Sequence, residues 1–172
     1  MRLFVALELP APVVSALVGW GEAAARPGLR LLPADSLHVT LAFLGARPDE
    51  QAPALGEAVV ACAAPVPGLA LGGVAWLGRG SALALDLDDG DGACGRLQAA
   101  VAAAVGLVED RPFRPHVTVA RVRGGARVRR RGLPAPPDAG RFAGTALTLY
   151  ESSLSPRGAS YRRVASCALP SS

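Results

Sequence analysis

A chain of 172 residues, 51% hydrophobic and 19% charged, is long enough to bury a core and too apolar to be disordered. Its net charge is +4 and all 18 basic residues are arginine, which suits an anionic ligand without requiring one. The three cysteines, Cys62, Cys94 and Cys167, are odd in number and lack CxxC spacing, so neither a disulfide framework nor a zinc knuckle is expected, and a reducing, cytoplasmic setting fits.

Residues 2–9 read as a strand with Leu3, Val5, Leu7 and Leu9 on one face and Phe4, Ala6 and Glu8 on the other. Glu8, Pro10 and Pro12 break this apolar opening before a signal-peptide core can form. Residues 11–26 read as a helix, with Pro12 in its first turn and Pro27-Gly28 closing it. A short strand over 29–32 and a turn over 33–36 lead into a strand that runs from His38 to Phe43 or Leu44 and stops at Gly45. Asp49 is placed to cap a helix reaching about Ala64, with Pro53 in its first turns.

Residues 58–78 carry no charge, but Pro65, Pro67, Gly68, Gly72 and Gly73 interrupt them, so a helix end, a loop and a strand are expected and not a membrane span. Residues 69–77 and 82–88 form a hairpin pattern, and 91–105 an alanine-rich helix. Arg111-Pro112-Phe113-Arg114-Pro115 introduces a strand over 116–122. From Gly124 to Gly140 the composition predicts a long, mobile, basic loop. Residues 141–150 and 161–169 then read as paired strands joined around Ser155-Pro156-Arg157-Gly158. The order of elements gives an α+β fold with mostly antiparallel pairing.

Two of these strands share a phrase: His38-Val39-Thr40-Leu41 and His116-Val117-Thr118-Val119. Together they use both histidines of the chain. Side chains alternate along a strand, so each histidine and its threonine face the same way, about 7 Å apart. The valines and Leu41 face a core. Three readings are open. A histidine on a strand is commonly a satisfied structural residue. A zinc site needs three or four ligands, and no carboxylate or cysteine sits at a tight spacing to either histidine. A pair of imidazoles can also move protons near neutral pH, one taking while the other gives, as attack at phosphorus requires. Threonine hydroxyls would then hold the non-bridging oxygens.

These residues resemble the 2H phosphoesterase superfamily, and within it the RNA 2′,3′-cyclic phosphodiesterases historically called 2′-5′ RNA ligases. The resemblance spans nearly the whole chain: RLFVALELP at the start, SLHVTLAFLG at 36–45, FRPHVTVARV at 113–122 and LYESSLSPRGASYRRV at 149–164. It implies a single domain of two intertwined, pseudo-symmetric lobes of antiparallel sheet with flanking helices around a central cleft. It implies metal-independent opening of an RNA terminal 2′,3′-cyclic phosphate to a 2′-phosphate, with reverse 2′-5′ ligation. No cofactor and no obligate protein partner are expected, and the chain is expected to be a monomer acting on RNA.

Residue by residue, the resemblance makes His38 and His116 the acid–base pair, without saying which is which. Thr40 and Thr118 grip the phosphate, Arg121 contacts it, and Phe43 stacks on the terminal base. Phe43 and Arg121 lie an odd number of residues from their histidines, so an ideal strand turns them to the wrong face unless a bulge or twist intervenes. Otherwise they are a core phenylalanine and a solvated arginine. The arginines at 121, 123, 127, 129, 130 and 131 either track an RNA backbone or sit on a solvated loop. Trp20, Trp76, Tyr150 and Tyr161 are expected to be packing residues. The alternatives are the same chemistry on a small nucleotide, or a non-catalytic module that binds RNA ends.

Overall fold

The period-two pattern of the strands builds one curled sheet with a covered face and an open one. A computed structural model describes residues 1–171. In chain order the elements are β1 (Arg2–Glu8), α1 (Ala11–Ala24), β2 (Leu29–Leu31), β3 (Val39–Ala46), α2 (Ala52–Val60), β4 (Ala70–Leu77), β5 (Ala82–Asp88), α3 (Ala93–Ala104), β6 (His116–Val122), β7 (Ala146–Ser155) and β8 (Gly158–Ala168). The strand order is β4-β5-β6-β3-β1-β7-β8, with β2 also paired to β6, and every pairing is antiparallel.

All three helices lie on one face. Leu17 of α1, Val59 of α2 and Val101 of α3 are sealed into one cluster with Val5, Val39 and Val117 of the central strands. Fully burying one such side chain is worth about 1.5–3 kcal/mol. The other face carries only a small cluster of Phe4, Ala6 and Tyr150, against which Tyr161 packs. The sheet is therefore a wall with its back to the helices and its front free for a ligand.

The two halves of the sheet meet at β3 and β6, where the paired positions are Val39 and Val117. Each half borrows from the other end of the chain. Strands β7 and β8 from the C-terminal part extend β1, and β2 from the N-terminal part joins β6. The α+β class and the antiparallel pairing match the expectation from sequence.

Several local expectations are corrected. Helix α1 ends at Ala24, two residues earlier than expected, with Pro27 following. Asp49 lies in a 3₁₀ turn and makes no cap; α2 starts at Ala52 with Pro53 in its first turn and ends at Val60. Beyond it the Cys62 thiol folds back onto the Ala58 carbonyl at 3.3 Å. The closing hairpin is shifted along the chain: its first strand begins at Ala146 and not at 141, runs to Ser155, and is followed by the second from Gly158 to Ala168.

The basic stretch 124–140 has no regular structure over most of its length, but it is tied down. The Arg26 guanidinium donates to the carbonyls of Arg129, Arg131 and Gly132 at 2.8, 2.7 and 3.3 Å. The Trp20 indole donates to the Pro134 carbonyl at 3.1 Å, and Arg130 lies over the Trp76 ring at 5.3 Å. These anchors answer the backbone acceptors that a free loop would leave to water.

Candidate active site

The seam of the sheet sets the geometry. Antiparallel pairing of Val39 with Val117 puts His38 opposite Thr118 and Thr40 opposite His116. Both valines are fully buried, while the two histidines and two threonines are half-buried on the open face. The two HxT phrases thus run head to tail, and the four polar side chains form a square.

Each motif then carries a bulge at the same place. In β3, Val5 of β1 pairs with Ala42 and Ala6 with Thr40, so Leu41 is the extra residue. In β6, Leu83 of β5 pairs with Ala120 and Ala84 with Thr118, so Val119 is the extra residue. An extra residue reverses the alternation beyond it. Phe43 is thereby returned to the open face beside Phe4, with ring centroids 6.3 Å apart, and is 68% exposed. Arg121 is returned to the face of His116 and Thr118 and is exposed.

His38 sits just before β3, in an aromatic nest. Its ring stacks on Phe4 at 5.1 Å and meets Tyr161 edge-on at 5.6 Å. Burial pushes its pKa down from 6.5 to about 4; Glu8 opposes the shift and His116 adds to it. The ring is therefore neutral at pH 7. Its Nε2 lies 3.2 Å from the Thr40 hydroxyl.

His116 is held differently. Its Nδ1 lies 2.7 Å from the Arg114 carbonyl, which can only accept, so Nδ1 carries the proton and Nε2 is left for a ligand. Arg114 is itself clamped by Asp86, both bonds of the fork measuring 2.8 Å. Asp86 is the β5 residue paired with His116.

Behind the aromatic nest lies a polar network. Glu8 accepts from the hydroxyls of Thr148 and Tyr150 at 2.7 and 2.8 Å and from Arg163 at 2.8 Å. Burial raises the Tyr150 pKa, Arg163 pulls it down, and Glu8 raises it further. A cavity of about 520 Å³ adjoins His38, between the segment 33–38 and residues 159–163. The sequence predicts packing roles for Tyr150 and Tyr161. They do pack, but around His38 and along this cavity. Phe4, Glu8 and Arg163 were missed as site neighbours. Alternation along 2–9 already set Phe4 and Glu8 on the face away from the core, which was the available signal.

The remaining candidates separate. Trp20 is buried in the core and Trp76 lies on the helix-bearing face, paired with Leu83. Because Arg130 covers Trp76 and Arg26 holds residues 129–132, this part of the basic stretch belongs to the back of the sheet. Arg129, Arg130 and Arg131 therefore do not join the four-residue square. Among the described residues, no three of His, Cys, Asp and Glu converge as metal ligands would.

The curled antiparallel sheet with its few helices matches the 2H phosphoesterase structures. The chain belongs to the 2′-5′ RNA ligase superfamily, whose family model matches residues 10–153. It is 35% identical over 142 residues to a Thermus thermophilus protein named RNA 2′,3′-cyclic phosphodiesterase, covering 70% of this chain and 68% of that one. Among solved structures, TT0787 of Thermus thermophilus superposes with a TM-score of 0.80 at 29% identity over 99% of both chains. E. coli LigT complexed with NADP+ superposes with a TM-score of 0.80 at 28% identity, over 98% of this chain and 97% of that one. No helix among the described residues is long and apolar enough to cross a membrane.

Proposed function

We propose that this protein hydrolyses the 2′,3′-cyclic phosphate at an RNA end to a 2′-phosphate, with His38 as general base and His116 as general acid. The observation that carries this is the head-to-tail register of the two HxT strands, which sets each histidine across from the other motif's threonine. A phosphate seated over the square meets one imidazole at each end and one hydroxyl on each side. That is the arrangement in-line displacement needs.

In the reaction, His38 takes a proton from water as its oxygen attacks phosphorus. The bond from phosphorus to the ribose 3′-oxygen breaks, and His116 gives that oxygen its proton. The 2′-oxygen keeps the phosphate. His38 suits the base role because its nest keeps it neutral. His116 suits the acid role because its Nδ1 donates to the Arg114 carbonyl, which leaves Nε2 as the nitrogen that meets the leaving oxygen. Thr40 and Thr118 donate to the non-bridging oxygens, Arg121 adds positive charge, and Phe43 offers an open ring to the terminal base. The phosphodiesterase name of the Thermus relative supports this reading. Ligation, in which an RNA 5′-hydroxyl replaces water as the nucleophile on the cyclic phosphate and the P–O3′ bond again breaks, uses the same groups in the same roles and makes a 2′-5′ linkage.

The test is a product analysis on a short RNA ending in a 2′,3′-cyclic phosphate, with EDTA present. Conversion to the 2′-phosphate is expected. His38→Ala and His116→Ala each lower turnover by about 10²–10⁴-fold, since each removes one proton-transfer group. Wild-type-like turnover in either variant, or formation of the 3′-phosphate, overturns the assignment.

A further inference from the structure

The β2–β6 pairing sets Arg30 directly opposite Arg121. Residues paired in a ladder share a face. The bulge at Val119 has turned Arg121 to the face of His116 and Thr118, so Arg30 stands on that face as well. Its side chain also reaches the far wall of the cleft. The Arg30 guanidinium lies against Gly158 at the turn of the β7–β8 hairpin, so closely that a Cβ there would collide with it.

Neither arginine has a carboxylate in ion-pair range among the described residues. Arg96, Arg114, Arg141, Arg162 and Arg163 all do. Like charges directly opposite each other in a sheet destabilise it. The fold thus keeps two uncompensated arginines on neighbouring strands of the open face. Arg121 lies three residues beyond Thr118, roughly 7–10 Å along the strand. Arg30 is one strand further aside, by about 4.8 Å. Arg121 is the nearer of the two to a phosphate held by Thr40 and Thr118; Arg30, one strand farther and extended toward Gly158, is placed for the next phosphate of a strand, whose two free oxygens match its guanidinium fork.

We propose that Arg30 holds a backbone phosphodiester of the RNA strand other than the reacting phosphate, and so selects an oligonucleotide over a mononucleotide. This rests on reading the square as a site for cyclic-phosphate ends, and it names the substrate class of that site.

The experiment compares kcat/KM on a ribonucleoside 2′,3′-cyclic phosphate and on a tetranucleotide with the same end. In Arg30→Ala the ratio of oligonucleotide to mononucleotide efficiency falls about tenfold, the worth of one charged contact, and Arg30→Lys restores part of it. Equal losses on both substrates, or an unchanged ratio, overturn the proposal. Fluorescence anisotropy on a labelled RNA ending in a 3′-phosphate tests it without turnover. The slope of log affinity against log salt shrinks by ~0.7 in Arg30→Ala if one phosphate contact is lost, and an unchanged slope overturns it. Should the wild type turn over neither substrate, the cyclic-phosphodiesterase reading fails while the anisotropy still decides the role of Arg30.

Discussion

Two chemically identical side chains are made different by what surrounds them. His38 is walled in by Phe4, Tyr150 and Tyr161, and its pKa falls to about 4 because burial penalises the charged ring. Two pH effects follow. The acid limb of kcat/KM, where His38 must be neutral, lies near pH 4 and not near 6.5. Stability is affected separately. Below pH 6.5 the unfolded chain binds a proton at this residue that the folded chain refuses, so this contribution is full above pH 6.5 and is lost as pH falls toward about 4. Urea denaturation of wild type and His38→Gln across pH 4–7 checks it. The wild type is expected to lose more stability on acidification than the variant, and parallel curves would remove the burial argument.

At the scale of the element, the strands decide which side chains can meet. One extra residue in each of β3 and β6 turns Phe43 and Arg121 to the ligand side while Leu41 and Val119 stay in the core. Alternation alone would have sent Phe43 and Arg121 into the helix layer. Strand β5 supplies the positioning of His116. Asp86 grips Arg114, and the Arg114 carbonyl fixes the imidazole. Asp86→Asn weakens the fork and lets the carbonyl drift. Because small misplacements of a reacting group are costly, kcat is expected to fall by about ten- to a hundredfold with KM nearly unchanged. A change confined to KM would argue that Asp86 serves binding and not orientation.

At the scale of the molecule, the sheet divides the arginines into two populations. Arg30 and Arg121 stand on the open face; Arg130 and the carbonyls bound by Arg26 belong to the helix-bearing side. Replacing Arg127, Arg129 and Arg131 together by alanine is expected to leave the salt dependence of RNA binding as in the wild type. Arg121→Ala alone shrinks its slope by ~0.7. Anisotropy titrations at several salt concentrations measure both, and a larger effect from the triple variant would place the RNA on the opposite face.

Much of this was legible in the chain. The two HxT phrases, their strand character and the faces of 2–9 follow from alternation, which is a local property of the extended backbone. The odd spacing of Phe43 and Arg121 pointed to a bulge but gave no way to place it, because a bulge is defined by the partner strand. The basic composition of 124–140 suggested a free loop; its anchors, Arg26 and Trp20, lie more than a hundred residues away in sequence. The nest around His38 gathers Phe4, Tyr150 and Tyr161 from both ends of the chain. By itself the sequence determined the two HxT strands and the faces their side chains take up to the bulges, since strand period and residue type are local. Only the tertiary structure decided the register at Val39 and Val117, the neutral state of His38 and the face each arginine occupies. Pairing, burial and charge proximity depend on residues that meet only when the sheet closes.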